Sequence, residues 1–490
     1  MPNETLSKKV RRKYQVVVGL EIHVQLSTRS KIFSADATTY GQPPNTNISA
    51  ITLGHPGTMP KLNKLAIAYA IRMGLACRCT IAQRTVFARK NYFYPDLPKG
   101  YQIMQDKTPI CRGGEVTITT SAGERPIALH HIHLEEDAGK SMHLAQEPET
   151  LVDLNRAGVA LIEIVTEPAL HSSEEASALL AEIRRMVRYL DICDGNMEEG
   201  SIRCDANVSV MLKEASELGK KVEVKNMNSM RNVQRAIDFE VHRQITQLEA
   251  DEAVVSETRT FDATRGTTAS MRTKEELNDY RYFPEPDLSP LEVSDAWLAD
   301  IRTAMPRLPH DYRRTFTEEY GLPTYDAEVL TDTRESAEYF EALCQHTAHR
   351  KAASNWMMGP VRSFLNEGSV TLNDFTVPPP QLAALVDLAA QNEVSFAVAS
   401  QRLFPALLTD PQRPVRQIAQ ELNLLQDSNV GSLQPLVDEV LAGFPDKVAA
   451  YQQGKKGLLG MFMGELMKRS QGKANPKLAN ELLRKSLEEA

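Results

Sequence analysis

The chain has 490 residues, 42% of them hydrophobic and 24% charged, and at about 150 residues per domain this length implies roughly three domains. No apolar run reaches the ~18 residues of a membrane span, and the basic stretch from Met1 to Tyr14 lacks the apolar core of an export signal, so a cytoplasmic protein without membrane contact is expected. A net charge of −8 excludes a surface coated for nucleic acid, but residues 451–490 carry eight Lys/Arg against four Glu, so any polyanion contact should be local and this end is a candidate for it.

The first clear element is a strand from Tyr14 to Leu26. Val18, Leu20, Ile22, Val24 and Leu26 alternate onto one face, which sets Glu21 and His23 together on the other. Cys77 and Cys79 have no second pair to complete a four-ligand zinc site, and six cysteines are too sparse for a disulfide framework, so free thiols and no structural zinc are expected. Arg89-Lys90-Asn91-Tyr92-Phe93-Tyr94-Pro95-Asp96 interleaves cations with aromatics, a mixture that grips phosphate or stacks a base. The segment from His130 to Asp137 reads equally as a metal site or as a strand end in water. Gly139-Lys140-Ser141 has the close of a phosphate loop, but Leu134 stands where that loop requires its first glycine.

Ser172 and Glu175 make a capping box ahead of Leu179, Leu180, Ile183, Met186, Val187 and Leu190, and Val233, Ile237, Val241, Ile245 and Leu248 form a second stripe; both are expected as core helices. Strand patterns surround them. In Ser201 to Val210, Arg203, Asp205 and Asn207 share the side opposite Ile202, Cys204, Ala206 and Val208. Val222 and Val224 leave Glu223 and Lys225 outward, and Glu257 with Arg259 alternate with Thr258 and Thr260. Beyond Val293 helical patterns dominate, broken at Val377-Pro378-Pro379-Pro380. The expected class is α+β: a catalytic domain over 1–292, a helical domain over 293–411 and a small helical tail over 412–490.

Any one of these strands reads as a solvated surface. Four with the same habit point instead to a hard cation held through oxygens, Mg²⁺ or Mn²⁺, with Arg and Lys for the phosphates it would bridge. No dinucleotide fingerprint, nucleophile elbow or Ser-Lys amidase signature is present in the sequence.

Val18-Gly19-Leu20-Glu21-Ile22-His23-Val24-Gln25-Leu26, the Arg89 to Asp96 segment, Leu134-Glu135-Glu136-Asp137-Ala138-Gly139-Lys140, Leu151-Val152-Asp153-Leu154-Asn155-Arg156 and Asp279-Tyr280-Arg281-Tyr282-Phe283-Pro284-Glu285-Pro286-Asp287 closely resemble the B subunits of tRNA-dependent amidotransferases. So do Ser201 to Asn207, Glu223 to Ser229 and, near the C-terminus, Gly472-Lys473-Ala474-Asn475-Pro476. The resemblance covers nearly the whole chain and is to the bacterial or organellar type. It implies ATP- and Mg²⁺-dependent phosphorylation of the side-chain carboxylate of Glu-tRNA(Gln) or Asp-tRNA(Asn), then amidation by ammonia. It also implies an amidase partner that releases ammonia from glutamine, a small bridging subunit, and a tail module that contacts tRNA.

The same resemblance implies a cradle of antiparallel strands like the glutamine synthetase catalytic fold. By motif position, Glu21, His23, Glu136 and Glu257 are carried over as metal ligands or near ligands, with Asp205 beside them. Lys90, Arg156, Lys225 and Arg259 are carried over as ATP-phosphate or acyl-phosphate contacts; Glu21, His23, Lys90, Glu136 and Asp205 form the expected catalytic set. The competing readings are a catalytically silent tRNA-binding adaptor and a metal-dependent phosphodiester hydrolase.

Overall fold

The computed structural model describes residues 8–143, 149–273, 280–426, 430–470 and 473–489, so Asp279 and Gly472 of the motifs above lie outside the described residues. The chain divides into two compact units, Met1–Leu308 and Pro309–Ala490.

The first unit is built on a thirteen-stranded sheet. Its principal strands are β1 (Tyr14–Gln25), β2 (Ala88–Asn91), β3 (Tyr101–Met104), β4 (Gly123–Glu136), β5 (Ala160–Thr166), β6 (Ile202–Leu212), β7 (Val222–Lys225), β8 (Glu257–Asp262), β9 (Thr267–Thr273) and β10 (Arg281–Pro284). They lie in the order β9-β8-β7-β6-β1-β5-β4-β3-β2-β10, and every pairing along this path is antiparallel except β7 with β8. Val18, Leu20, Ile22 and Val24 of β1 are fully buried in one core with Ile162 and Ile164 of β5 and Cys204, Ala206 and Val208 of β6.

Three helices supply the other wall of that core: α1 (Lys64–Ala76), α2 (Ser173–Tyr189) and α3 (Met230–Glu249). In α2, Leu179, Leu180, Ile183 and Val187 are each completely buried, which contributes about 1.5–3 kcal/mol apiece before ordering entropy is counted. Ser172 caps this helix through the Glu175 amide at 3.1 Å, while the Glu175 carboxylate turns to the His171 amide at 2.7 Å and to Arg125. Ser229 caps α3 in the same manner through Asn232. All six cysteines are buried and unbridged.

A further helix, α4 (Asp295–Thr303), packs on the first unit, whose core includes Val293 and Ile301. The second unit is helical throughout its described residues. Trp356 is buried against Phe396 and Phe404, and residues 430–489 gather a cluster of their own that includes Leu433, Val437, Phe462, Leu466, Leu483 and Leu487. Among the described residues no helix is long and apolar enough to cross a membrane.

Candidate active site

Strand pairing assembles a polar face from residues far apart in sequence. Because β1 lies between β5 and β6, Glu21 sits opposite Asp205, and His23 sits between Arg203 on one side and Glu163 on the other. The next pairing sets Glu163 across from His133, and Glu135 follows two residues along the same face of β4. Ligand atoms from His23, Glu135 and Glu163 consequently lie within 4.8 Å of one another. His23 Nε2 is 3.5 Å from Glu163 Oε2 and 3.7 Å from Glu135 Oε1, and His133 Nε2 is 3.5 Å from each of the two carboxylates.

Burial opposes charge on both imidazoles, yet the carboxylates outweigh it: His23 is pushed up to about 9, and His133 is raised as well. Burial would raise Glu163, but His23 and His133 hold its carboxyl well below the usual range. Further along β4, burial and the neighbouring imidazoles bring His131 down to about 4, and its Nε2 lies 3.1 Å from His133 Nδ1.

The set fits a hard divalent ion. Two carboxylates and an imidazole supply an oxygen-rich half-shell. His133 Nε2 is buried without a hydrogen-bond partner and is directed at the same two carboxylates. An ion's two positive charges would also replace the protons that those carboxylates draw onto His23 and His133.

The flanks are charged and ordered. Asn207 Nδ2 donates to Glu21 Oε1 at 2.8 Å, and burial together with the nearby Glu163 charge raises the Glu21 pKa. Lys225 Nζ lies 2.7 Å from Asp205 and 2.8 Å from Glu223; burial would lower its ammonium, but the two carboxylates hold it well above its ordinary value. Asp137 is buried, which would raise it, but Arg203 at 2.8 Å, Arg156 at 3.5 Å and the Gln25 amide at 2.7 Å hold it below the usual range. Arg156 also donates to the carbonyls of Ala138 at 2.9 Å and Gly139 at 2.7 Å, so it clamps its own loop. Beyond β4, Lys90 Nζ lies 4.8 Å from the Tyr280 ring and 5.8 Å from the Tyr92 ring.

Glu21, His23, Asp205, Lys225 and Lys90 therefore share this face, as the sequence leads one to expect. Arg156 reaches only its margin, through Asp137, and three other expected site residues lie elsewhere. Glu136 falls one residue out of phase with Glu135: it accepts from Lys99 Nζ at 2.5 and 2.7 Å and from the Ile103 amide at 2.8 Å, away from His23. Glu257 and Arg259 pair with each other at 2.5 Å on the helix-covered side, where Arg259 lies 3.6 Å from the buried Glu240 of α3 and Glu257 lies 3.8 Å from Arg243. The cause is register. The parallel β7–β8 pairing puts Thr258, not Glu257, beside Glu223, and Thr258 Oγ1 donates to Glu223 at 2.7 Å.

Glu163 is not singled out by the sequence, and His133, Glu135 and Asp137 are read there only as members of the segment from His130 to Asp137, with Glu136 alone chosen from it. For Glu135 a signal was present, since His131, His133 and Glu135 alternate with Ile132 and Leu134. For Glu163 the signal was one acid inside the apolar run Ala160–Thr166.

Residues 16–299, which contain every residue of this face, match the family model described as the GatB/GatE catalytic domain, and residues 338–487 match the model described as the GatB domain. The chain belongs to the GatB family. Among aspartyl/glutamyl-tRNA(Asn/Gln) amidotransferase B subunits, it is 50% identical to that of Alkalilimnicola ehrlichii, across 97% of this chain and 99% of that one. Those of Geotalea uraniireducens (49% identical, 97% and 99% covered) and Salinibacter ruber (47% identical, 97% of each covered) are similar to it along the same length.

Proposed function

We propose that this chain carries out the amide-forming step of a tRNA-dependent amidotransferase. The side-chain carboxylate of Glu on tRNA(Gln), or of Asp on tRNA(Asn), takes the γ-phosphoryl group of ATP and releases ADP; ammonia then attacks the acyl phosphate and phosphate leaves as the C–N bond forms. The observation that carries this reading is the convergence of His23, Glu135 and Glu163 on one sheet face, flanked by Glu21, Asp205 and Lys90. His23, Glu135 and Glu163 would hold Mg²⁺, which supplies charge neutralisation where phosphate and carboxylate oxygens crowd together. Lys90, which stands over the Tyr280 and Tyr92 rings and whose charge helps hold the Glu163 carboxyl low, offsets the charge of the phosphoryl group in transfer. Glu21, whose pKa burial raises, is suited to take a proton from the attacking nitrogen. Asp137 orients Arg203 and Arg156 at the margin of the site.

In this reading the antiparallel sheet acts as a cradle of the glutamine synthetase kind, and ammonia comes from an amidase partner, because the chain carries no Ser-Lys amidase signature. The two are bridged by a small third subunit, and the assembly works in the cytoplasm. Within a three-part chain of 1–292, 293–411 and 412–490, the last part contacts the body of the tRNA; its own apolar cluster and the exposed Lys455, Lys468 and Lys477 support that assignment. The test is conversion of Glu-tRNA(Gln) to Gln-tRNA(Gln) by the purified complex. Conversion that requires ATP, Mg²⁺ and glutamine together supports the reading; phosphodiester cleavage without ATP would favour a hydrolase, and tRNA binding without turnover an adaptor.

A further inference from the structure

The sheet face that carries His23, Glu135 and Glu163 continues past β4 to the open edge of the sheet, and its chemistry changes from carboxylate to aromatic. Met104 of β3 pairs with Glu135, Lys90 of β2 pairs with Gln102, and Tyr282 of the edge strand β10 pairs with Lys90. Residues paired in this way share a face, so Lys90 and Tyr282 lie on the same side as Glu135. Tyr280 precedes Tyr282 by two residues, and its ring packs on Tyr92 with centroids 5.5 Å apart. Lys90 stands over both of those rings. Tyr282 is 41% exposed, and Phe93, next to Tyr92, is 93% exposed.

Solvent-facing aromatics on an edge strand are costly without a partner, and these are not dispersed: the Tyr280 and Tyr92 rings lie against one cation, Tyr282 is its strand partner, and the face they share continues to Glu135. From β4 to β10 is three strand spacings, roughly 14 Å at about 4.8 Å each. An extended nucleotide, or an aminoacyl ester with its terminal nucleoside, bridges such a span between its reacting group and its base. Rings with a free π-face beside a cation hold a base by stacking without reading its edges.

We propose that Tyr282 and Tyr280, with Tyr92 and Lys90, form a stacking subsite for a purine base whose reacting end lies at the His23, Glu135 and Glu163 cluster. The proposal rests on the amidation reading, which supplies two sources for that base: the adenine of ATP and the terminal adenosine of the aminoacyl-tRNA.

Fluorescence of 2-aminopurine, quenched when the base stacks, separates them. The full complex is titrated with 2-aminopurine riboside triphosphate, and separately with tRNA carrying 2-aminopurine at its 3′ end, for the unmodified protein and for Tyr282→Ala, Tyr280→Ala and Tyr282→Phe. Quenching of one probe that the alanine variants abolish and Tyr282→Phe retains supports the subsite and names the source. The KM of that substrate alone should rise roughly 5- to 30-fold in the alanine variants. Neither probe quenched, or quenching and both KM values unchanged in the alanine variants, would overturn the proposal. Binding is read without turnover, so failure of the subsite is distinguishable from failure of the amidation reading, which would show as an unmodified complex that makes no amide with ATP.

Discussion

Glu163→Gln removes one negative charge from the centre of the polar face while keeping the size of the side chain. Glu163 lies 3.5 Å from both His23 Nε2 and His133 Nε2, and with Glu135 it lifts His23 from 6.5 to about 9. At about 1.4 kcal/mol per pH unit, that elevation corresponds to on the order of 3 kcal/mol of interaction favouring the imidazolium. The folded-state pKa is raised, so this stabilisation is fully present below the unfolded value near 6.5 and is lost as pH rises through about 9. In Glu163→Gln the His23 pKa should fall back toward 6.5, with Glu135 sustaining part of the elevation. NMR titration of the ring protons in Mg²⁺-free buffer reads this directly. Metal binding requires the neutral imidazole, so in the unmodified protein Mg²⁺ affinity should climb with pH up to about 9, by at most about tenfold per unit. In the variant that climb should level off at a lower pH, following the lowered His23 pKa, and the affinity should fall by at least the roughly 10- to 100-fold typical of disturbing a metal site. An unaltered His23 titration together with an unaltered Mg²⁺ requirement would refute the assembly of this site.

Glu257→Gln should leave Mg²⁺ dependence intact and lower thermal stability by on the order of 1–3 kcal/mol, because Glu257 faces Arg259 and Arg243 on the helix-covered side; calorimetry alongside a Mg²⁺ titration separates the two effects. Asp137→Asn leaves the Arg203 and Arg156 guanidinium groups without their buried carboxylate and should cost about 3–5 kcal/mol in denaturant unfolding. Because the folded Asp137 pKa is depressed, its contribution is present above about pH 4 and is lost as pH falls through the folded value, so the unmodified protein should lose stability in acid more steeply than Asp137→Asn. Replacing Lys455, Lys468 and Lys477 with alanine should leave glutamine hydrolysis unchanged and flatten the plot of log tRNA affinity against log salt by roughly 0.7 to 0.9 per lost phosphate contact; equal slopes by filter binding would mean that these lysines are only solvated. Substitution is the proper perturbation here, since a cut near Ala450 would divide the cluster that joins Leu433 and Val437 to Leu483 and Leu487.

What was legible in the sequence was whatever one strand or helix encodes alone. Period-two alternation placed Glu21 with His23, and Asp205 with Arg203, because one face of each strand is committed to the core. Period-3.6 stripes placed α2 and α3, and the Ser172 cap placed the start of α2. Relations between strands were not legible. Glu163 enters the site only because β5 pairs with β1, and nothing within Ala160–Thr166 names that neighbour. Glu257 and Arg259 have the same local pattern as Asp205 and Asn207, but a parallel pairing displaced by one residue turns them to the opposite side. Glu135 and Glu136 are both buried, so hydropathy does not rank them; the phase set by Ile132 and Leu134 does, and it selects Glu135.

Activation of the substrate carboxylate by phosphorylation at this face is tested most directly by isotope transfer. Glu-tRNA(Gln) labelled with ¹⁸O in its side-chain carboxylate, incubated with the complex, ATP, Mg²⁺ and glutamine, should give inorganic phosphate carrying one labelled oxygen for each amide formed, and Glu163→Gln should release no labelled phosphate while glutamine hydrolysis persists. Unlabelled phosphate accompanying full amide formation would contradict an acyl-phosphate route.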